Sequence, residues 1–342
     1  MTTFGDDATE ACKQELIQLF VEKEALVPVK WESLSQEQRK IVVRSHMFLR
    51  EMYEDGSFVK IKARLVADGR MQDRTLYNDH SSPTTKTKSV MTCLKLAARH
   101  NWDLLQLDVG GVFLCANMDE SEEVFMVLNK QLSQMCGTLI QGASEHLRNN
   151  GKLVVRVNKA MYGLIQSAKL WYKELSGYLA SKGFMICKSD ECVLVKRMKS
   201  GKHIIVMLYV DDILVMSEVS EDRHWVKSLL EVKYKKVTSE EGDRLPYLGM
   251  TIDKKNFGYE LCMQSYVDDL LNFYDKDVRE FTVPATGNLF EVDDTSEALS
   301  NKTKFHSIVA KLLYLGKCGR PDILKKTKDC YSMSVRIPLG CQ

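Results

Sequence analysis

Two short apolar runs near the middle of the chain, at residues 204–210 and 213–216, flank the adjacent carboxylates of Asp211 and Asp212. Runs of this length, rich in isoleucine and valine and interrupted by a polar pair, predict a β-hairpin with the aspartates at its tip. Two like charges in a buried turn repel each other unless a cation or another residue offsets them. The pattern therefore predicts either a functional carboxylate site or a turn that merely faces water.

Hydrophobic periodicity also predicts the elements around this hairpin. Apolar positions recur at helical spacing from residue 8 to 24, and Ser35 with Gln38 fits a capping box that opens a second helix running to about Tyr53. A strand is predicted at residues 58–67. Further helices are predicted at residues 88–99, 166–179, 222–234, 264–274 and 305–315, and loops at residues 141–151, 240–244 and 284–300.

A second apolar segment, residues 102–114, contains another carboxylate. It predicts a strand that carries Asp108 and breaks at Gly110-Gly111. Glycines after a strand let the backbone approach another segment or a ligand, and for a phosphate the amides of Gly110, Gly111 and Val112 would be donors. Asp108 and the Asp211-Asp212 pair would form a three-carboxylate cluster. Such hard oxygen ligands suit Mg²⁺, which binds through one or two carboxylates plus substrate phosphates.

At this point the sequence resembles the reverse transcriptases of Ty/copia-type LTR retrotransposons, from about residue 34 to about residue 323. Six motifs in the family's order carry the resemblance: residues 62–67 of the fingers, Leu107-Asp108-Val109 with Phe113, residues 159–166 with Trp171-Tyr172, Tyr209-Val210-Asp211-Asp212, residues 247–250 of the primer grip, and residues 314–323. Each motif is weakly specific by itself, and their order and spacing together identify the family.

The resemblance implies an α+β right-hand polymerase fold, with fingers, a palm of antiparallel sheet plus helices, and a partial thumb. It divides the chain into an N-terminal helical extension at 1–57, fingers and palm at 58–245, and a primer-grip, thumb-like and tail region at 246–342. The implied activity is RNA-directed DNA polymerisation, in which a primer 3′-hydroxyl attacks a deoxynucleoside triphosphate. Two Mg²⁺ ions, or Mn²⁺ as the alternative, would assist this phosphoryl transfer at a spacing of about 3.5–4 Å.

The resemblance also assigns roles to single residues. Asp108, Asp211 and Asp212 would be catalytic, and a metal would be held by Asp108, Asp211 and the carbonyl of Val109. Nucleotide-binding roles fall on Lys62, Arg64, Gly110, Gly111, Val112, Phe113, Tyr162, Gly163 and Gln166, and the primer grip on Leu248 and Gly249. The ring of Phe113 would exclude a sugar 2′-hydroxyl, although core packing also explains an aromatic residue there. Lys62 and Arg64 could equally be solubilising charges, and Gly163 and Gln166 a turn and an exposed helix start.

The sequence departs from the family pattern at three places. Gly110 stands where the family usually has a lysine that contacts phosphate. Ser167-Ala168 replaces the usual Ala-Pro pair, which predicts a less rigid start for the following helix. The stretch 325–342 also differs from the family and predicts a truncated or altered end.

Composition narrows the remaining choices. The 342 residues carry a net charge of only +2, so binding to a nucleic acid must depend on local stripes, either Lys60, Lys62, Arg64, Arg70 and Arg74 or Lys325, Lys326 and Lys328. The ten cysteines contain no Cys-x-x-Cys pair and the histidines lack zinc-finger spacing, which favours a reducing compartment. No apolar run approaches the length of a membrane helix, about 20 residues.

Three hypotheses follow: an active polymerase, a folded but inactive nucleic-acid-binding remnant, and an unrelated metal-dependent phosphotransferase or cyclase. Phe113, Gly163 and the Leu248-Gly249 segment favour the first over the third. The expected partners are an RNA or DNA template with its primer, deoxynucleoside triphosphates, and the integrase and ribonuclease H parts of a polyprotein, with no membrane. The expected location is a cytoplasmic virus-like particle, with the nucleus as the alternative.

Overall fold

The computed structural model describes residues 5–54, 56–76, 81–119, 122–274, 283 and 301–336, so the loop predicted at 284–300 lies outside it. The strands are Leu26–Val29 (β1), Val43–Glu54 (β2), Ser57–Ala67 (β3), Asp103–Val109 (β4), Val124–Val127 (β5), Val154–Val157 (β6), Met185–Cys187 (β7), Asp190–Arg197 (β8), His203–Tyr209 (β9), Asp212–Ser217 (β10), Val237–Glu241 (β11), Arg244–Tyr247 (β12), Met250–Lys255 (β13) and Gly258–Cys262 (β14). The helices are Gly5–Ile17 (α1), Gln36–Lys40 (α2), Thr87–Arg99 (α3), Lys130–Leu139 (α4), Ser167–Ser181 (α5), Ser220–Tyr234 (α6), Gln264–Tyr274 (α7), Lys302–Cys318 (α8) and Pro321–Arg336 (α9). The α+β class is therefore confirmed.

The central sheet has the strand order β11-β4-β10-β9-β8-β7, and its pairings are antiparallel. One face packs on α5 and α6 through side chains such as Leu107, Val215 and Trp171. The other face packs on α3 and on the strands β12 to β14 through side chains such as Leu214 and Tyr247. Burial on both faces explains why β9 and β10 are continuous apolar runs rather than alternating ones. The predicted hairpin is confirmed, but only Asp211 lies in its turn, because Asp212 is already the first paired residue of β10.

The first sheet has the order β1-β6-β5-β2-β3 and is antiparallel except for the β2–β5 pair. α1 and α4 pack on it through Leu16, Leu132 and neighbouring apolar residues. β2 and β3 continue beyond the sheet as a two-stranded ribbon, because β5 pairs only with Val43 and Arg44 of β2. The Glu15 carboxylate of α1 accepts a hydrogen bond of 2.9 Å from the Leu65 amide of the edge strand β3, so α1 covers part of that edge.

The second predicted helix is only partly correct. The capping box forms, since the Gln38 amide donates to Ser35 Oγ at 3.1 Å and the Ser35 amide donates to Gln38 Oε1 at 2.8 Å. The helix nevertheless ends at Lys40, and the prediction that it runs to Tyr53 is wrong. The region predicted as a helical extension at 1–57 also contains the strands β1 and β2. Val43–Glu54 is a strand because its first two residues pair with β5 and its backbone pairs with β3 from Ser45 onwards. The boundaries of the three predicted regions stay a prediction.

The charged loop predicted at 240–244 is also partly wrong, because Glu240 and Glu241 pair with β4 as part of β11. The third sheet, β12-β13-β14, follows directly and packs against α7, α8 and α9 through Met250, Met263, Leu270 and Leu315. The predicted helices at 88–99, 166–179, 222–234, 264–274 and 305–315 correspond to α3, α5, α6, α7 and α8. In the ranges that the structure describes, no helix combines the length and apolarity needed to cross a membrane.

Candidate active site

The tip of the β9–β10 hairpin is a two-residue turn of Val210 and Asp211, since Tyr209 lies opposite Asp212. Val210 has φ of +56°. This left-handed conformation strains a β-branched side chain, and hairpin turns of this kind usually place glycine there. The Trp171 indole Nε1 of α5 donates a hydrogen bond of 2.6 Å to the Val210 carbonyl. The turn that carries Asp211 is therefore held in a strained form by a buried aromatic residue.

Asp108 lies directly opposite Asp212 in the β4–β10 pairing. Opposite residues of an antiparallel pair point their side chains to the same face, with Cβ atoms about 4.5–5.5 Å apart. Asp211, in the adjoining turn, is close enough for its charge to act on both of the other carboxylates. The structure thus brings together the three carboxylates that the sequence predicted to be neighbours.

The carboxylates repel one another. The pKa of Asp108 is raised by partial burial and then by the charge of Asp211, against the opposing charges of Lys62, Arg64 and Lys236. The pKa of Asp212 is raised by partial burial and by its two acidic neighbours, and is lowered by a hydrogen bond from the Gln106 side chain. Raised pKa values mark carboxylates whose negative charge is incompletely offset by the protein itself.

This donor set fits a divalent cation. No group of three His, Cys, Asp or Glu side chains among the described residues has the spacing of a complete metal site. Mg²⁺ does not need one, because it is commonly bound by one or two carboxylates together with substrate phosphates and water. The negative charges of Asp108 and Asp212 are incompletely offset, and Asp211 lies beside them in the β9–β10 turn. This arrangement therefore suits a cation that arrives with a phosphate ligand.

The predicted nucleotide-binding side chains lie beside this cluster. Phe113, in the short turn Val112–Cys115, contacts Tyr162 edge-on with ring centroids 4.8 Å apart. The guanidinium of Arg64 lies 4.6 Å from the centroid of the Tyr162 ring, a cation–π contact. The pKa of Tyr162 is raised by burial, lowered by Arg64, and raised again by Asp211 and Asp108. Arg64 and Tyr162 therefore lie within electrostatic range of the carboxylates, and Phe113 joins them by packing on Tyr162.

Lys60, Lys62 and Arg64 share one face of the β2–β3 ribbon, as alternation along β3 predicted. The pKa of Lys62 is lowered by burial and then by the charges of Arg64, Lys236 and Lys60, and is raised by Asp108. Lys60, Arg64 and Lys236 are therefore close enough to repel Lys62, and Lys62, Arg64 and Lys236 attract the Asp108 carboxylate. Arg70 differs, because it forms an ion pair of 2.8 Å with Asp68, so its charge is already offset.

The loop after β4 departs from one prediction. The Gly110 amide donates 2.9 Å to the Lys236 carbonyl, so the proposed donation from Gly110 to a phosphate is wrong. Gly111 has φ of +69° and allows the chain to turn from β4 into the Val112–Cys115 segment. Whether the amides of Gly111 and Val112 contact phosphate stays a prediction.

Gly163 has a packing role. Its φ is +93°, and a Cβ built on it would lie 1.9 Å from the Ala67 carbonyl oxygen. The Ala67 amide in turn donates 2.9 Å to the Tyr162 carbonyl. Only glycine fits so close to the end of β3. The close approach predicted at Gly163 is therefore to the fingers strand, and its contact with an incoming base pair stays a prediction.

The start of α5 is better fixed than the sequence indicated. Ser167 Oγ accepts from the Met161 amide at 3.0 Å and donates to the Met161 carbonyl at 2.5 Å. The prediction of a loosely set helix start is wrong, because serine supplies bonds that alanine lacks. Gln166 is only 4% exposed, and its Oε1 accepts from Gln72 Nε2 at 3.1 Å. A template contact would require Gln166 to leave this buried position.

The predicted primer-grip residues form the turn between β12 and β13. Leu248 and Gly249 have φ of +52° and +70°, as a type I′ hairpin turn requires. The Tyr314 hydroxyl donates to the Leu248 carbonyl. Buried Tyr247 links this turn to the carboxylates, because burial and then the Asp212 charge raise its pKa. The turn and the carboxylate cluster therefore adjoin.

Sequence reasoning missed four residues that shape the site: Gln106, Trp171 as a partner of the catalytic turn, Lys236 and Tyr314. Gln106 could have been found, since it lies two positions before Asp108 on the same strand face. Trp171 belongs to one of the family motifs, but its bond to the hairpin joins segments that are distant in sequence. Tyr314 belongs to the last family motif, but its bond to Leu248 was not predicted, and Lys236 left no local signal.

The chain is similar to Pol polyproteins of transposons. It is 30% identical over 280 residues to the retrovirus-related Pol polyprotein from transposon TNT 1-94 of Nicotiana tabacum, covering 79% of this chain and 20% of that one. It is 31% identical over 281 residues to the polyprotein from transposon RE2 of Arabidopsis thaliana, covering 81% and 18%, and 29% identical over 197 residues to the Ty1-GR3 Gag-Pol polyprotein of Saccharomyces cerevisiae, covering 57% and 10%. The chain spans about a fifth or less of these relatives.

A solved structure of the foamy viral protease-reverse transcriptase in complex with double-stranded DNA superimposes with a TM-score of 0.52 at 13% identity, over 96% of this chain and 44% of that one. The likeness establishes the predicted right-hand polymerase fold. A family model described as reverse transcriptase (RNA-dependent DNA polymerase) matches residues 31–285, which include the three carboxylates and the Leu248-Gly249 turn. The chain therefore belongs to the reverse transcriptase family, and it is similar to the reverse transcriptase domain of copia-type Pol polyproteins.

Proposed function

We propose that this domain is an RNA-directed DNA polymerase that adds deoxynucleotides to a primer 3′-hydroxyl by two-metal phosphoryl transfer. The observation that carries the proposal is the pairing of Asp108 with Asp212, with Asp211 beside them and the cations of β3 facing Asp108. In a metal-bound triphosphate, the carboxylates would bind the metal ions and the cationic side chains would bind the phosphate oxygens.

Each part of the chain then has a task in this reaction. Asp108, Asp211 and the Val109 carbonyl would hold Mg²⁺, or Mn²⁺ as the alternative. When bound, such ions lower the pKa of the attacking hydroxyl and offset the charge on the leaving pyrophosphate. Arg64 offers a planar pair of donors for phosphate oxygens and Lys62 a point charge. The Phe113 ring, fixed against Tyr162, would exclude a ribose 2′-hydroxyl.

The remaining predictions belong to the same proposal. The template and primer would be RNA or DNA, and the monomers deoxynucleoside triphosphates. Because the relatives are Pol polyproteins, we expect integrase and ribonuclease H parts to act with this domain. We further propose that it works in a cytoplasmic virus-like particle, with the nucleus as the alternative. One reason for the hypothesis of an inactive remnant was the replacement of the usual Ala-Pro pair by Ser167-Ala168. That reason is weakened, because Ser167 fixes the start of α5 by two hydrogen bonds.

The experiment is primer extension on poly(rA)·oligo(dT) with dTTP and Mg²⁺, comparing the unmodified chain with Asp211→Ala. We expect extension by the unmodified chain and its loss in the variant, with the fold intact because removing one charge relieves repulsion. Glu221→Gln is the matched control, since Glu221 is an exposed acid in the first turn of α6. Thermal unfolding checks that all three proteins fold.

Two results would contradict the proposal. Normal extension by Asp211→Ala would show that the carboxylate cluster is not the catalytic site. Salt-sensitive binding of the duplex by the unmodified chain, with no extension under either metal, would identify the inactive remnant instead.

A further inference from the structure

The predicted primer-grip turn is held by a helix that lies beyond the matched family region. The Tyr314 hydroxyl of α8 donates a hydrogen bond to the Leu248 carbonyl. A Cβ built on Gly249 would lie 4.0 Å from Cε1 of Tyr314, so the ring also lies along the turn. The matched region ends at residue 285, whereas α8 begins at Lys302. No role for Tyr314 follows from the family motifs.

The conformation of the turn explains why it needs such a partner. Leu248 has a left-handed φ of +52°, which is unfavourable for a residue with a Cβ. Val210, the first residue of the catalytic turn, is also left-handed, and its carbonyl accepts a hydrogen bond from Trp171. In both turns, an aromatic donor on a helix binds the carbonyl of the residue in the unfavourable conformation. The two turns are therefore fixed by the same kind of contact.

Tyr314 also lies near the catalytic hairpin. The pKa of Tyr314 is raised by burial, then by Cys318 and by Tyr209. Tyr209 lies opposite Asp212 in the β9–β10 pairing, so these two side chains point to the same face of the sheet. Tyr314 is therefore within electrostatic range of the hairpin that carries the carboxylates, while its hydroxyl is bonded to the primer-grip turn.

Neighbouring helices fix α8 in this position. The Tyr266 hydroxyl of α7 donates 3.1 Å to the Lys311 carbonyl of α8, and the ring centroids of Tyr266 and Tyr314 are 5.3 Å apart. A Cβ built on Gly316 would lie 3.1 Å from Cα of Leu324 in α9, so these two helices pack closely. Because α8 packs against two other helices, the hydroxyl that it carries can determine where the turn lies.

We propose that Tyr314 is a positioning residue, which holds the Leu248-Gly249 turn where the primer 3′ end must lie beside the catalytic hairpin. This inference rests on the proposed function, because the strand that is positioned is the primer of the polymerase reaction. Tyr314 acts through the Leu248 carbonyl rather than on the reacting atoms. Loss of its hydroxyl should therefore disturb the placement of the primer end more than the affinity for the duplex.

The test compares Tyr314→Phe with the unmodified chain, with Tyr266→Phe as the matched control. Each substitution removes one hydroxyl that donates to a backbone carbonyl, and both rings belong to the same apolar cluster, but only Tyr314 bonds the turn. The probe is an RNA template paired with a DNA primer whose 3′-terminal base is 2-aminopurine. Acrylamide quenching of that base reports how well the primer end is held in the complex. Fluorescence anisotropy gives the Kd of the duplex, and thermal unfolding gives the stability of each protein.

We expect Tyr314→Phe to raise the quenching constant of the primer-end base by about twofold or more, with the Kd of the duplex within about twofold. Where the protein extends an unlabelled primer, kcat should fall by on the order of tenfold. Tyr266→Phe should leave the quenching constant and kcat within about twofold, because the ring packing and the contact with α9 that hold α8 remain.

The outcomes separate this inference from the proposed function. Equal quenching in Tyr314→Phe and the unmodified chain overturns the inference even if primers are extended normally. An equal rise in Tyr266→Phe also overturns it, because it would show a general loosening of the helices. A rise confined to Tyr314→Phe, at the melting temperature of the control, supports the inference even if no primer is extended, and then only the polymerase proposal fails. Absence of duplex binding by the unmodified chain overturns both.

Discussion

Trp171 both packs in the core and holds the strained turn beside Asp211 by a hydrogen bond, and one substitution can separate these two roles. Trp171→Phe keeps an aromatic ring against Tyr234, whose centroid lies 5.1 Å away, but removes the Nε1 donor to the Val210 carbonyl. The lost hydrogen bond and the smaller ring together should lower the free energy of unfolding by about 2 kcal/mol. Because Asp211 follows Val210 directly, we also expect kcat to fall by about tenfold or more.

A second substitution reports on the strain. Val210 at φ of +56° costs roughly 1–2 kcal/mol relative to glycine, which populates this region freely. In a Val210→Gly background the turn no longer needs the indole to hold it. Trp171→Phe should therefore reduce kcat much less there than in the unmodified chain, with a coupling free energy of about 1 kcal/mol.

The assay is a double-mutant cycle of single-nucleotide extension, with kcat and the KM for dTTP measured separately. A positioning role predicts that the loss falls mainly on kcat, while a general loss of fold would reduce the active fraction in every background. The reasoning is refuted if Trp171→Phe reduces kcat by the same factor with valine and with glycine at position 210.

Two further predictions concern stability. Gly163→Ala should lower the free energy of unfolding in urea by about 2 kcal/mol or more, because the new Cβ would lie 1.9 Å from the Ala67 oxygen. Gly177→Ala in α5 is the control. It should be neutral or stabilising, because nothing lies within 4 Å of its new Cβ. Asp108→Asn should raise the melting temperature at pH 7. The folded-state pKa of Asp108 is raised, so its ionisation costs stability as the pH rises through that pKa, and the cost vanishes below the unfolded value of about 3.9. Melting curves from pH 3 to pH 7 check this.

These two experiments have clear contrary results. A Gly163→Ala protein as stable as Gly177→Ala would mean that the β3 end and the Tyr162-Gly163 segment do not approach as closely as the structure shows. An equal gain from Asp108→Asn at pH 3 and pH 7 would exclude charge repulsion as its cause. Added Mg²⁺ should also raise the melting temperature of the unmodified chain more than that of Asp108→Asn, if Asp108 is a ligand.

The sequence by itself determined the elements whose signals are local. Apolar runs and their periodicity predicted the β9–β10 hairpin, the strand that carries Asp108, and the helices α3 and α5 to α8. Ser35 and Gln38 predicted a helix start, because a capping box involves only neighbouring residues. The spacing of the motifs also identified the family and the carboxylates of the candidate site.

The tertiary structure decided the rest, since its contacts join residues that are distant in sequence. Val43–Glu54 became a strand through pairing with β3, which outweighed the helical start before it. Ser167 fixes the start of α5 through its hydrogen bonds with Met161, and Gly163 is required by its close approach to Ala67. Gln166 is buried, where it accepts a hydrogen bond from Gln72. Lys236 reached Asp108 because β11 pairs with β4 in one register. Periodicity specifies which face of an element is apolar, but packing and register alone specify which element that face meets.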